Sequence, residues 1–350
     1  MKNIILEHVK KYPLMEIRDL VKLIYQSEFG GGHMIANPQM SLNRIQEEYH
    51  SLKPEALDVS SVVENIGDGL SRIYLSCLDH GIPAEVLNEM FVHSANNKKG
   101  SVAGLEEKIE LIIYMCHNKE LSYNVDEVID FFETWKQDGY PAMSHSETYR
   151  QNYHPAYRVI ETNFTKLYEV SCRVKKELYD SVDKPYVIAI DGMSGSGKST
   201  FATLLQKVFP ESNLFHMDDY FLQPSQRTEE RLSEVGGNVD YERFHDEIIS
   251  HLNNKDGLSY RKYDCSNQTL GIPVHTAWQP LMIIEGSYSH HPYFGNIYDL
   301  RVFLDISPEE QRKRILKRNG AFMLQRFISE WIPKENAYFE KFHVKENAAI

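Results

Sequence analysis

The sequence predicts an all-α domain over residues 1–182, followed by an α/β domain over residues 183–350 in which helices flank a parallel sheet. Three observations predict this division. The 350-residue chain is longer than the roughly 250–300 residues at which a single hydrophobic core stops growing. Apolar residues recur at spacings of three and four through the first half. After Pro185, short apolar runs alternate with helical stretches, which is typical of parallel strands joined by crossover helices.

Helical periodicity accounts for the predicted elements of the first domain. Because an α-helix repeats every 3.6 residues, apolar side chains three and four positions apart share one face. No stretch before the linker shows a convincing strand alternation. The predicted helices are Ile17–Gln26, Pro38–Tyr49, Val59–Leu78, Leu105–His117, Val125–Gln137 and Ala156–Leu178. Ser181–Pro185 ends the last helix, since proline disfavours a helical conformation in the residue before it.

The second domain is predicted from four short apolar runs, each followed by turn residues. Their length and flanks indicate buried strands. The runs are Tyr186–Asp191, Asn213–Met217, Pro280–Gly286 and Leu300–Ile306. Because helical stretches lie between them, the strands should be parallel, with right-handed crossovers. The carboxyl ends of such strands meet at one edge of the sheet, where ligands bind.

Composition narrows the function classes. The formal net charge of −12 at pH 7 argues against a general nucleic-acid-binding protein. No run of about 18 apolar residues occurs, so no membrane span is expected. Charged residues soon interrupt the apolar N-terminal patch, which therefore does not resemble a secretory signal. The four cysteines are scattered without a CxxC pair, so we expect a reduced, cytoplasmic protein without a cysteine metal site.

The stretch DGMSGSGKST, residues 191–200, carries the strongest functional signal. It satisfies GxxxxGK[ST] between a predicted strand and a predicted helix, the context that a phosphate-binding loop requires. Glycines let successive N–H groups turn toward an anion, and the helix N-terminus adds partial positive charge. We therefore expect bound ATP, with Lys198 near its β- and γ-phosphates and Ser199 on Mg²⁺. The predicted nucleotide-binding residues are Gly192, Ser194, Gly195, Ser196, Gly197, Lys198, Ser199 and Thr200.

Acids that follow two predicted strands indicate phosphoryl transfer to a small molecule. Glu285 is a single acid followed by glycine, where a motor-type ATPase would carry paired acids. One such carboxylate suits a small-molecule kinase, in which it orients Mg²⁺ or its water shell. Asp218, in FHMDDYF, is predicted to accept the proton of the acceptor hydroxyl and to help hold Mg²⁺. Asp219 is the rival for this role, and two solvated acids in a strand-end turn are the alternative.

A basic helix is predicted over the stretch EEQRKRILKRNG. Arg314 and Arg318 are four residues apart and therefore share one helix face. Such a face would neutralise the charge that spreads over a transferring phosphoryl group. The alternative is a solvated amphipathic helix whose cations pair with Glu309 and Glu310.

From about Tyr186 to its end, the chain resembles the uridine kinase/phosphoribulokinase family of P-loop kinases, nearest its uridine kinase-like branch. The matching pieces are IDGMSGSGKST, MDDYF, NVDYERFHDEII, YRKYDC, IIEGSY and RKRILKR, and they cover a little under half of the chain. The resemblance implies an α/β P-loop kinase fold and ATP-dependent phosphorylation of a small-molecule hydroxyl, that of a nucleoside first. Members of the family often self-associate, so the resemblance allows a homo-oligomer.

The resemblance also implies roles for individual residues. Asp218 matches the catalytic base of the family, and Glu285 matches the acid that joins Ser199 around Mg²⁺. Asp240, in NVDYERF, matches an aspartate that binds ribose hydroxyls, and Tyr263 matches a tyrosine that lines the nucleoside pocket. The family's mobile basic lid, which closes on the phosphates, is matched by Arg314, Lys317 and Arg318.

The run SHSETYRQNYHPAYR, residues 144–158, concentrates histidine, tyrosine and arginine in the first domain. Such side chains recognise a phosphate or a base through paired donors and stacking. They equally form a core or a polar seam. We identify no family for this half, and its role stays open.

Three functions are compatible with these observations. The first is an ATP-dependent small-molecule kinase with a helical partner domain. The second is a regulator whose kinase-like half uses ATP only as a switch. The third is an RNA-end kinase, which the acidic balance disfavours. Asp218, Glu285 and the basic helix together favour the first, because a switch has little use for a catalytic base.

Overall fold

The computed structural model describes residues 1–31, 34–53, 61–97, 100–180 and 184–350. Its contacts divide the chain into two units, Met1–Tyr168 and Glu169–Ile350. The predicted boundary between residues 182 and 183 lies outside the described residues and stays a prediction. Each unit has its own core of buried apolar side chains.

Helices make up most of the N-terminal unit, as predicted. Their starts carry the expected caps, since the side chains of Asn37, Ser101 and Asn124 accept hydrogen bonds from backbone N–H groups of the first turn. The helices are α1 (Lys2–Lys11), α2 (Ile17–Phe29), α3 (Pro38–Ser51), α4 (Ala84–Asn97), α5 (Val102–His117), α6 (Val125–Gln137), α7 (Glu147–Tyr153) and α8 (Thr162–Asp180), the last of which continues into the second unit.

The N-terminal unit also contains a three-stranded antiparallel sheet, so its description as all-α is corrected. The strands are β1 (Val63–Gly67), β2 (Leu70–Tyr74) and β3 (Tyr157–Glu161), in the order β1-β2-β3. The predicted helix Val59–Leu78 is wrong for its described residues, and Ala156–Leu178 begins as a strand. Asp68 and Gly69 have φ angles of 51° and 74°, the left-handed pair that a tight hairpin turn requires and a helix excludes.

The C-terminal unit is built on a parallel sheet flanked by helices, which confirms the predicted fold. Its strands are β4 (Tyr186–Gly192), β5 (Ser212–His216), β6 (Leu258–Asp264), β7 (Thr269–Thr276), β8 (Leu281–Glu285) and β9 (Leu300–Leu304). The four predicted strands form, and they lie in the order β5-β8-β4-β9. A hairpin of β6 and β7, which the sequence analysis did not predict, forms a separate two-stranded sheet.

The helices of this unit position the ends of the parallel strands. Every residue of β4 and β8 is buried, which explains their uninterrupted apolar sequences. The helices are α9 (Lys198–Val208), α10 (Glu229–Ser233), α11 (Tyr241–Glu247), α12 (Pro308–Arg326) and α13 (Ile332–Lys341). Helix α9 packs on β4, β5 and β8. Across the described ranges, no helix combines the length and apolar character that crossing a membrane requires.

Candidate active site

The predicted phosphate loop lies between β4, which ends at Gly192, and α9, which begins at Lys198. Gly192 has a φ angle of 143°, and a Cβ atom there would lie 2.1 Å from the carbonyl oxygen of Leu304. Gly195 and Gly197 also have positive φ angles, 79° and 99°. Residues with side chains rarely adopt such angles, so the three glycines allow the tight turn. The backbone therefore has the form expected of an anion-binding loop.

Polar groups of the loop have partners within the unit. Lys198 Nζ donates to the carbonyl oxygens of Gly192 and Met193, at 2.7 and 3.1 Å. Its ammonium group thus lies against the loop, and its contact with phosphate stays a prediction. The backbone N–H and the hydroxyl of Ser194 both donate to Glu335, at 3.0 and 2.6 Å. Because Glu335 takes these donors, the nucleotide contact of Ser194 stays a prediction.

Glu285 connects the end of β8 to the phosphate loop. Its side chain is buried, and its Oε2 accepts from the hydroxyl of Ser199 at 3.3 Å. Its Oε1 lies 2.5 Å from Nδ1 of His216 at the end of β5. This hydrogen bond raises the pKa of His216, although burial opposes the shift. The structure therefore brings together Ser199 and Glu285, two of the three residues predicted to hold Mg²⁺.

Asp218 lies just beyond the carboxyl end of β5, in the short 3₁₀-helix Met217–Tyr220. The protein packed around its carboxyl group and the charge of Glu285 raise its pKa, while the charges of Lys198 and Arg318 oppose this shift. Although protein atoms surround the carboxyl group, the residue as a whole is exposed, and its side chain forms no hydrogen bond with any residue that the structure describes. The carboxylate is therefore open to a ligand at the edge where the phosphate loop also lies.

Asp219, the rival of Asp218, is held by the protein. Its Oδ2 pairs with Nζ of Lys262 at 3.0 Å. Its backbone carbonyl accepts from the guanidinium group of Arg243 at 2.8 Å. These contacts favour Asp218 over Asp219 as the acceptor of a substrate proton, and that role stays a prediction.

The two residues predicted to bind the acceptor, Asp240 and Tyr263, are both buried. Asp240 caps α11 by accepting from the backbone N–H of Arg243 at 3.1 Å, and it also accepts from Nε2 of Gln226 at 3.0 Å. The hydroxyl of Tyr263 accepts from Arg227 at 3.0 Å. These contacts explain both residues structurally, so their contacts with an acceptor stay predictions.

Helix α12, which carries the predicted basic face, packs against the phosphate loop. Nε2 of Gln311 donates to the carbonyl oxygen of Ser194 at 2.9 Å. A Cβ atom on Gly195 would lie 3.8 Å from Cβ of Arg314. Nε of Arg314 donates to Glu310 at 3.1 Å, the intrahelical pair that the solvated-helix alternative expects. Arg314 is therefore near the loop but paired within its own helix.

The remaining cations of the basic face lie further along α12. Arg318 donates to the side chain of its neighbour Asn319 at 2.7 Å. Lys317 is exposed on the same helix. Gly320 then interrupts the helix with φ and ψ angles of 79° and 171°. The charge of Arg318 opposes the raised pKa of Asp218.

The sequence analysis missed three residues that shape the site. Glu335, on α13, holds Ser194 from 141 positions away, and nothing near it in the sequence marks it. Asp191 is buried and accepts from the backbone N–H of His290 and the hydroxyl of Tyr338, at 3.0 and 2.9 Å. His216 precedes Asp218 by two positions at a predicted strand end, and this placement is a signal that could have identified it.

The donor atoms at this edge fit Mg²⁺. The hydroxyl of Ser199 and the carboxylates of Glu285 and Asp218 are the hard oxygen ligands that Mg²⁺ prefers. No group of three or more histidine, cysteine and acidic side chains poised around a metal occurs within the described ranges. Mg²⁺ commonly keeps several waters and binds one or two carboxylates together with substrate phosphates, so a sparse site is adequate.

Comparisons with known proteins connect this half of the chain to kinases. No family model matches the chain.

Curated relatives that are similar to part of the chain include three kinases. A bifunctional α-galactosidase/sucrose kinase of Mediterraneibacter gnavus is 27% identical over 186 residues, which are 47% of this chain and 20% of the relative. Uridine-cytidine kinase C of Dictyostelium discoideum is 30% identical over 117 residues, 33% of this chain and 26% of the relative. Uridine kinase of Ureaplasma parvum is 25% identical over 181 residues, 47% of this chain and 86% of the relative.

The extent of these similarities is limited. The chain spans only 20% and 26% of the first two relatives. Among solved structures, one described as a possible uridine kinase from Bacillus stearothermophilus is 22% identical and covers 52% of this chain and 98% of its own, with a TM-score of 0.40. The similarity to kinases therefore concerns about half of the chain.

Proposed function

Because about half of the chain is similar to uridine kinase-like P-loop kinases, we propose that the protein transfers the γ-phosphoryl group of ATP to a hydroxyl of a small molecule, with a nucleoside as the acceptor. One observation carries the proposal. The open carboxylate of Asp218 lies at the sheet edge that also holds the phosphate loop and Glu285. A hydroxyl bound there would have a base on one side and the phosphates on the other.

The proposed step moves one proton and one phosphoryl group. The acceptor hydroxyl gives its proton to Asp218 while its oxygen bonds to the γ-phosphorus, and the bond to the bridging β-phosphate oxygen breaks to release ADP. Lys198 and the loop N–H groups hold the β- and γ-phosphates. Mg²⁺, when held by Ser199 and Glu285 with help from Asp218, neutralises charge on the phosphate oxygens.

Further residues would position the reactants. Arg314, Lys317 and Arg318 are proposed to neutralise the phosphoryl group in the transition state, for which Arg314 must leave Glu310. Asp240 and Tyr263 are proposed to face the acceptor. The turn between β6 and β7 contains Cys265, Ser266, Asn267 and Gln268, where uridine-binding members of the family carry an aromatic residue and a histidine. Acceptors other than uridine must therefore also be tested.

Two alternatives make different demands on the same residues. A regulator that uses ATP only as a switch needs Lys198 and Ser199 but has no use for an open base at Asp218. An RNA-end kinase is disfavoured by the net charge of −12. We place the protein in the cytoplasm, because all four cysteines are free thiols, as expected in a reducing compartment.

The acceptor is identified by measuring ADP release from ATP and Mg²⁺ in the presence of nucleosides, sugars and pantothenate-like alcohols. We expect at least one member of the panel to be phosphorylated, the nucleosides first, because the relatives include uridine and cytidine kinases. A protein that binds ATP but releases no ADP with any acceptor would support the regulator instead.

Asp218→Asn tests the proposed base on the acceptor that this panel identifies. The rate should fall by about 10²–10⁴ while ATP affinity is nearly unchanged, because the amide cannot take a proton but perturbs the phosphate loop little. Asp219→Asn is the matched control and should lose much less. Lys198→Ala should abolish activity by weakening phosphate binding. Full turnover by Asp218→Asn would show that another group accepts the proton.

A further inference from the structure

The N-terminal unit contains an open cavity of about 890 Å³ that the proposed kinase chemistry does not use. Residues of α2, α3, α4 and the chain from Ser144 to Val159 line it. Its lining is rich in basic side chains: Lys22, Arg44, Lys53, Arg150, His154 and Arg158. Two of these arginines and the histidine come from the run SHSETYRQNYHPAYR, whose role the sequence left open.

Among the described residues that line this cavity, positive charge is in excess. Glu48 is the one acidic residue among them, and it already pairs with Arg158 at 2.7 Å. Arg44 and Arg150 form no ion pair with the residues that the structure describes. A cavity that presents free guanidinium groups attracts an anion.

Lys22, on α2, is a partly buried member of this group of basic residues. Its Nζ donates to the backbone carbonyl of Met143 at 2.9 Å, which leaves its charge without a carboxylate partner in the described chain. Burial is the main cause that lowers the pKa of Lys22 to about 8. The positive charges of Arg72 and Arg150 contribute to this shift, and the charge of Asp19 opposes it. These causes indicate a positive potential around the ammonium group, which a bound anion would relieve.

A chain of hydrogen bonds fixes three of the residues that line the cavity, namely His145, Tyr157 and Gln26. Oδ1 of Asp19 lies 2.8 Å from Nδ1 of His145, and Nε2 of the same ring lies 2.6 Å from the hydroxyl of Tyr157. That hydroxyl is 3.2 Å from Oε1 of Gln26, which accepts from Arg72 at 2.9 and 3.1 Å. His145, Tyr157 and Gln26 therefore form a fixed polar surface within the cavity.

The cavity also has an apolar part of its wall, and its volume limits the size of a ligand. Met34 and Met40 are exposed in the cavity, at 80% and 53%, and Phe91 and Leu52 also contribute to its wall. A volume of about 890 Å³ is within the range of small-molecule sites and exceeds what a free phosphate ion needs. The cavity thus combines a cationic part with a wall suited to an organic group.

We propose that the N-terminal unit binds a phosphorylated small molecule of about nucleotide size, with its phosphate between Lys22, Arg44 and Arg150 and its organic part against Met34 and Phe91. Guanidinium groups pair with phosphate oxygens through two parallel hydrogen bonds, which favours phosphate over a neutral ligand. The inference does not depend on the kinase proposal, because every described residue that lines the cavity belongs to the first unit.

The test uses the full-length chain with Lys198→Ala, so that the phosphate loop contributes little binding. Calorimetry compares uridine 5′-monophosphate and glucose 6-phosphate with uridine and glucose, and pyrophosphate with citrate. We expect a phosphorylated probe to bind at least about tenfold more tightly than its unphosphorylated counterpart, because one hydrogen bond to a charged group contributes about that factor or more. Failure of every phosphorylated probe to bind, or equal binding of citrate and pyrophosphate, would overturn the proposal.

Substitutions locate the binding. Arg150→Gln and Lys22→Gln should each weaken the phosphorylated probe about tenfold or more. Lys10→Gln removes the same charge from an exposed position on α1 outside the cavity and should leave affinity unchanged. Circular dichroism confirms that each variant is folded. Unchanged binding by both folded cavity variants would place the ligand elsewhere and contradict the assignment.

Discussion

The carbonyl oxygen of Leu304 occupies the position that a side chain at residue 192 would need. The 2.1 Å separation involves backbone on both sides, so no rotamer change can relieve it. The same strand end carries the first glycine of the predicted phosphate loop, so the close approach of Leu304 excludes a side chain at this position. Gly197 differs, because a Cβ atom there would meet nothing within 4 Å.

Gly192→Ala should destabilise the C-terminal unit by about 2–4 kcal/mol, since a steric conflict adds to backbone strain. Gly197→Ala is the matched control, and its strain alone should cost about 1–2 kcal/mol. Urea unfolding monitored by tryptophan fluorescence measures both. Equal losses for the two variants would mean that contact with Leu304 contributes nothing.

At the scale of elements, β1 and β2 are joined by a buried ion pair. Glu64 and Arg72 are directly opposite in register, and their atoms Oε2 and Nη1 are 3.0 Å apart. Lys11, at the end of α1, and Tyr12, which follows it, also donate hydrogen bonds to Glu64, at 2.8 and 2.6 Å. These charged residues interrupt the apolar pattern of a buried strand, and this interruption concealed the hairpin in the sequence.

Glu64→Gln should destabilise the N-terminal unit by about 3–5 kcal/mol, because it leaves the charge of Arg72 buried without its partner. Glu106→Gln, which removes an exposed partner of Lys136, should cause little change. Chemical denaturation of both variants at low and high salt measures the difference. A loss for Glu64→Gln no larger than for Glu106→Gln would show that the buried pair is not required.

At the scale of the whole molecule, each unit contains a buried histidine whose pKa is lowered to about 4, His145 in the first and His291 in the second. Burial is the main cause in both. Nearby arginines contribute, and for His145 their effect and that of burial exceed the opposing effect of the hydrogen bond that its ring donates to Asp19. The unfolded chain takes up protons near pH 6.5, whereas the folded histidines do so only near pH 4.

Stability should therefore fall as the pH falls from about 6.5 to 4, because the unfolded state binds more protons in this window. A shift of this size corresponds to up to about 3 kcal/mol for each histidine. Urea unfolding at several pH values measures the dependence, and His145→Gln should flatten it for the N-terminal unit. His50→Gln, at an exposed position on α3, is the control. A dependence that persists unchanged in His145→Gln would assign the effect to other groups.

Much of the C-terminal unit was predictable from consecutive residues. The phosphate loop, its flanking strand and helix, and the four parallel strands were all predicted, because glycine spacing and buried apolar runs are local properties of the chain. The placement of Asp218 beside the loop followed from the rule that parallel strands end at one edge. The hairpin in the N-terminal unit had a local signal as well, Asp68-Gly69, which helical periodicity on either side obscured.

By itself, the sequence determined the glycine-rich loop between a buried strand and a helix, which is the predicted phosphate loop, and the acids that follow the neighbouring strands. Only the tertiary structure decided which residues from distant positions complete each site. Glu335 reaches Ser194 across 141 positions, and Leu70 pairs with Glu161 to close the N-terminal sheet. The basic cavity likewise combines α2 and α3 with the chain after α6. The physical reason is that backbone conformation depends on neighbours in the chain, whereas charge pairing and burial depend on neighbours in space.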